Sequence, residues 1–448
     1  LHIPAFLAAL ALASPAVGPA ASWSSARDQD AVVVPGRALS ATGHAAIPDL
    51  ALLASTGGRV GAIPFQVDER TLEGNWVLDQ RSPYLSDDER DDNRLTVDDS
   101  PGAVDDTDEL VFMASDAGDR LGAEDLPAGV VAADELEVTD PVTGGRGWAY
   151  LVTMPSGPWR SNVDYVALGT PAEGDELVTT PVYRMGYSRQ APMTPSLLTV
   201  GDDTNLVDRF KVRIQVRLLR LFPLVRDEED LRSRLWQYKD GPVRVIRELR
   251  SSMRLVARIQ SPALGNQSIN YRESAVFPFQ VTLPFPAAAV TDDATITGWM
   301  DGKDLHGWRV RTNSDPRTLL VDGVMDATEK SLVRDGALWA VCLGPGVDMA
   351  ASFRAFTDVP LTTRFTYLDD QDAPRPPERF RGEVPGLGFE IRGVEKLPRG
   401  PFHFRVAVGI HRGARSDQAA MAAAALLDTP LGVEVRPLRV PEAPRPPP

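Results

Sequence analysis

The sequence predicts an all-β fold: a β-sandwich at the N-terminus, a larger β-rich region after it, and one short C-terminal Ala-rich helix. Three observations predict it. Short apolar runs of strand length recur between clusters of Gly, Pro and Asp. Hydrophobic periodicity near 3.6 is almost absent before residue 416. The 448 residues, 43% hydrophobic and 24% charged, suit a folded chain and exceed what one hydrophobic core organises.

Residues 1–21 are expected to be a secretory signal, with Phe6–Ala13 as its short apolar core and Gly18-Pro19-Ala20 offering small residues for cleavage. That core is too short to span a bilayer and no later stretch nears 18 apolar residues, so no transmembrane segment is expected. The expected location is periplasmic or extracellular. Residues 22–30 are polar and expected to be disordered. The first sandwich, residues 30–160, has strand-like runs at Ala31–Pro35, Arg59–Gln66, Glu109–Ala114, Glu135–Thr139 and Trp148–Met154. It contains an acidic loop, residues 87–109.

The second region, residues 163–415, opens its strongest pattern at Phe210–Leu218, where apolar and basic or polar residues alternate strictly. Met253–Ile259 repeats that pattern, and further strands are expected from Phe277 to Val408. Residues 416–436 are expected to form a helix and a strand. The helix, Asp417–Leu427, is rich in Ala and can be capped by Ser416. Residues 437–448 are Pro-rich and expected to be a disordered tail.

The chain carries a net charge of −15, yet residues 209–258 hold fourteen Arg or Lys against six Asp or Glu. That local +8 creates a positive field able to attract an anionic ligand. Nucleic acid is excluded as a partner, because phosphate-dominated binding would be opposed by the remaining −23. Within the basic segment Arg213, Arg217, Arg254 and Arg258 alternate along strands, and Trp236 adds a flat face for stacking on a sugar ring. These five are the candidate ligand-binding residues for an anionic polysaccharide; the alternative is a solvated outer sheet face.

The acidic loop places eleven carboxylates among twenty-three residues. Asp98, Asp99, Asp105, Asp106 and Asp108 are the candidate ligands for a hard cation such as calcium, although the spacing is not that of an EF-hand. No other cofactor is expected. The single cysteine, Cys342, excludes an internal disulfide and lies in an apolar run as a buried strand residue. The five histidines show no metal-ligand spacing. His306 sits near Asp301 and Asp304, either of which could orient it as an acid or base; the plainer reading is an exposed turn. No nucleophile elbow, P-loop or dinucleotide fingerprint is present.

Ile63–Glu69 (IPFQVDE) and Asp108–Asp119 (DELVFMASDAGD) resemble a small β-sandwich module found upstream of galactose-mutarotase-like supersandwich domains in exported carbohydrate-related proteins. Lys239–Arg247 (KDGPVRVIR) resembles a strand of those supersandwiches, and together the motifs look like a family of exported bacterial β-proteins. The resemblance implies that the second region is a β-supersandwich. Such domains include lyases, epimerases and glycoside-processing enzymes as well as inactive modules. Met300–Trp308 is similar, over nine residues, to the opening of the 3-keto-disaccharide hydrolase family, and coincidence explains that match better.

The leading expectation is therefore a carbohydrate-associated binding or scaffolding protein preferring an anionic glycan. The alternatives are a polysaccharide lyase or glycoside-processing enzyme, with Tyr238, Arg244, Tyr271 and His306 as candidate catalytic residues, and a structural cell-envelope protein.

Overall fold

The computed structural model describes residues 20–22, 27–86, 88–89, 95–170, 175–189, 195–219, 221–256, 259–261, 264–373 and 384–440. Nearly all of the expected signal lies outside this set, as do residues 441–448 of the tail and Arg258. The fold is all-β, with the expected helix at Asp417–Leu426 and a short turn of helix at Ala327–Lys330.

The N-terminal sandwich packs a three-stranded sheet, Ala31–Pro35, Glu109–Met113 and Gln66–Asp68, against a five-stranded one. The core between them comes from alternate strand residues, among them Val32, Val34, Leu50, Leu52, Leu110, Phe112 and Leu136. The run expected as one strand at Arg59–Gln66 divides into Arg59–Ala62 and Gln66–Asp68, which belong to different sheets. Pro64 stands at the break, where a residue without an N–H interrupts no ladder.

Two strands cross the expected boundaries. Gln80–Arg81 pairs with Leu231–Asp240, adding an edge to the largest sheet of the second region. Near the chain end, Gly432–Leu438 pairs with Ala132–Thr139 and covers an edge of the first sandwich. Pro437 and Leu438, expected to open the tail, are strand residues. The segment expected to be disordered before residue 31 also holds structure. Arg27 is fully buried, bonding Asp30, Asp140 and the Thr429 carbonyl.

The second region has an eleven-stranded antiparallel sheet faced by a five-stranded and a four-stranded sheet. The five-stranded sheet runs Phe222–Asp227, Val207–Leu218, Thr291–Gly302, Gly386–Arg392 and Thr362–Leu368. One core draws on all three sheets, including Tyr183 and Met185, Leu249 and Phe404, and Phe365 and Phe389. The C-terminal helix lies outside that core. Ser416 caps it by accepting from the Ala419 N–H, and Ala420 and Ala424 pack on Val341, Leu343 and Ala350.

Candidate functional site

The three sequence motifs meet at one place, the junction between the two sandwiches. Strands Leu231–Asp240 and Val245–Val256 form a hairpin whose turn carries Gly241 to Arg244. The side-chain oxygen of Gln66 accepts from the backbone N–H groups of Val243 (3.3 Å) and Arg244 (3.2 Å). A Cβ on Gly241 would stand 2.2 Å from the Gln66 Oε1, so a larger residue there would displace the Gln66 amide from these bonds. Arg244 donates through Nε to Asp68 (2.7 Å), through Nη2 to Glu109 (2.7 Å) and through Nη1 to the Tyr271 hydroxyl (3.2 Å). Lys239 bridges Asp68 (3.1 Å) and the Val67 carbonyl (2.7 Å). Val111 and Met113 of one sandwich pack on Val243, Ile246 and Ile269 of the other around these charges.

Electrostatics hold Asp68 and Arg244 ionised. Burial alone would raise the Asp68 carboxyl, but Arg244 and then Lys239 outweigh it and leave it below its ordinary 3.8. Burial would likewise loosen the Arg244 proton, and Asp68, Tyr271 and Glu109 reverse that. Of the catalytic candidates, Arg244 and Tyr271 are thus in contact, within a filled interface. Tyr238 packs into the large core of the second region, so the three share no pocket. His306 is half-exposed on a turn, with Nδ1 2.7 Å from Asp304 Oδ1.

The ligand-binding candidates are divided between two sheets. Arg213 and Arg217 lie in the five-stranded sheet, Trp236 and Arg254 in the eleven-stranded one. Arg217 ion-pairs with Asp292 and Asp293, and Arg254 with Asp230. Trp236 is buried with the Arg250 guanidinium 3.5 Å from its ring centroid. Arg213 is only 6% exposed and lies 5.1 Å from the Trp299 ring. Arg258 lies outside the described residues.

Of the acidic candidates the structure gathers three. One carboxylate oxygen from each of Asp98, Asp105 and Asp108 lies within 4.8 Å of the others. Burial, opposed by the N–H groups of Asp105 and Arg70 and reinforced by Asp105 and Asp98, lifts Asp108 to about 6. Asp99 and Asp106 are exposed, and Asp99 accepts from the Leu72 N–H at 3.0 Å.

On strand Val207–Leu218 neither face is uniformly wet or dry. Lys211 is fully buried, paired with Asp301, and Arg213 is nearly so, while Val212, Ile214, Val216 and Leu218 are only half-buried. Alternation separates two faces of a strand but does not say which one meets the core. The apolar face looks into a cavity of about 250 Å³ between the sheets of the second region. Phe210, Val212, Ile214, Ile296, Phe279 and Phe389 line it, with Cys342 at its wall. Burial pushes the Cys342 thiol up to about 12, so it behaves as an apolar side chain. Sequence reasoning missed this interior. The available signal was Gly298, a mid-strand glycine directly opposite Val212, beside which only the Phe210 ring approaches within 4 Å.

No protein-family model matches the chain, and no curated protein matches it in sequence. Among solved structures, a putative aldose 1-epimerase from Escherichia coli K12 is similar over 55% of this chain and 99% of its own, at 8% identity and a TM-score of 0.29. An α-mannosidase from Enterococcus faecalis V583 is similar over 86% of this chain and 46% of its own, at 9% identity and 0.35. A family GH92 α-mannosidase from Bacteroides thetaiotaomicron covers 55% and 32%, at 13% identity and 0.24. These neighbours are carbohydrate-related proteins, and scores of this size carry no argument about what this chain does.

Proposed function

We propose that the chain is an exported, ligand-binding protein whose ligand is an apolar chain, such as an acyl group, held between the sheets of the second region. The cavity of about 250 Å³ carries this reading. Protein interiors hold few voids larger than a water molecule. An apolar cavity of about 150 Å³ takes up benzene, so this one has room for more. Its half-buried walls at Val212, Ile214, Ile296 and Met300 give a ligand access.

The test is titration of detergent-free protein with the fluorescent fatty acid cis-parinarate. Saturable binding near one equivalent, abolished by Ile296→Trp in a protein that still folds, supports the reading. Absence of saturable binding by the wild type refutes it.

The anionic-glycan reading stands second, and one observation favours it away from the basic strands. Arg334 and Arg364 line a polar hollow of about 190 Å³ together with Glu390. Arg364 pairs with Asp335 and Glu390, whereas the single hydrogen bond of the Arg334 guanidinium among the described residues goes to the Tyr367 carbonyl at 3.5 Å. Burial and then Arg364 lower the Arg334 pKa, a repulsion that a uronate or sulfate group would relieve. Binding of polygalacturonate that Arg334→Ala leaves unchanged would remove this reading.

A further inference from the structure

We infer that Asp98, Asp105 and Asp108 form a binding site for a hard divalent cation of calcium size, beside the junction of the two sandwiches. One oxygen of each lies within 4.8 Å of the other two, and no ion pair of any of the three with Lys, Arg or His is found among the described residues. Clustering alone would not suffice, because acidic loops are commonly solvated. The independent observation is Asp98. Its side chain is 6% exposed, and its Oδ1 is buried without a hydrogen-bond partner, while Oδ2 accepts from the Ser100 N–H at 3.1 Å. A buried carboxylate oxygen left without a donor is costly unless a cation meets it.

The surrounding chain holds Asp105 and Asp108 in place. Asp108 accepts from the N–H groups of Arg70 (3.0 Å) and Asp105 (2.9 Å), and Asp105 from the Thr107 N–H (2.8 Å) and hydroxyl (2.7 Å). Gly36 is packed so closely that a Cβ would stand 1.8 Å from the Asp105 carbonyl oxygen. Its N–H donates to the Asp108 carbonyl at 2.7 Å. Oxygen-only ligands of high charge suit calcium, which accepts six to eight oxygens in flexible geometry; magnesium demands a stricter octahedron. Asp108 precedes Glu109, the partner of Arg244, so a bound cation would brace the segment that carries one side of the junction.

The test uses the whole chain, stripped with EDTA and titrated calorimetrically with CaCl₂ and with MgCl₂, alongside melting curves. Calcium is expected to bind at one site more tightly than magnesium and to raise the melting temperature. Asp98→Asn and Asp105→Asn should each weaken it at least about tenfold, while Asp106→Asn, in the same acidic run, leaves it unchanged. Absence of calcium binding by the wild type overturns the proposal, as does undiminished binding in both Asp98→Asn and Asp105→Asn. Equal or tighter magnesium binding overturns its calcium-sized part.

Discussion

The junction and the interior of the second region are built on opposite terms. At the junction Arg244, Lys239, Asp68, Glu109 and Gln66 surround one another with hydrogen bonds of 2.7–3.3 Å. Every charge there has its complement on the neighbouring sandwich. In the interior, side chains from facing sheets leave a cavity of about 250 Å³ with almost wholly apolar walls. The contrast separates architecture from function. A satisfied ionic cluster has no chemistry left for a substrate, whereas the apolar space between the sheets is what the proposed ligand would fill.

Breaking the junction should produce the largest effect. Arg244→Ala removes the guanidinium shared by Asp68 and Glu109, leaves them with Lys239 and Arg70 alone, and should cost about 3–5 kcal/mol in chemical denaturation. A cost under about 1 kcal/mol would mean that the sandwiches do not depend on this cluster. Acid should act on the same place. Because the folded Asp68 titrates below its unfolded value of 3.8, its contribution is present above 3.8 and is lost as pH falls further. Asp68→Asn should flatten that part of the stability profile, and an unchanged acid limb would contradict the assignment.

The interior should respond in the other direction. Ala351→Leu adds apolar volume to the cavity wall and should stabilise the protein by about 0.5–2 kcal/mol while weakening ligand binding. Destabilisation by that substitution would indicate an already close-packed core. The smallest effect is expected at Arg217, whose pairs with Asp292 and Asp293 are solvent-exposed. Arg217→Ala should change stability by less than about 1 kcal/mol.

Much of the fold was legible because period-two alternation is a local property: Phe402–Val408 lies within an observed strand, and Leu338–Leu343 starts one residue before the strand Trp339–Gly344. The pairings of Gln80–Arg81 and Gly432–Leu438 were not, since each joins strands more than 150 residues apart and leaves no local trace. Lys211 and Arg213 misled for a different reason. Basic residues at alternate positions suggest a wet face, and only the Asp301 partner, ninety residues on, explains how Lys211 is buried. Asp240-Gly241-Pro242-Val243-Arg244 was legible as a turn entering a strand. Its partners Gln66, Asp68 and Glu109 lie in the two other motifs, so the three segments that look most distinctive in sequence make one contact in space.

The contrast between the two regions rests most heavily on the interior being a binding space. Its most direct measure is the thermal unfolding of detergent-free protein with and without palmitate. At ligand a hundredfold above its dissociation constant, binding to the folded state alone adds about 2.7 kcal/mol. A binding interior therefore gives a higher melting temperature for the wild type and no change for Ile296→Trp. Identical melting of the wild type with and without palmitate would contradict it.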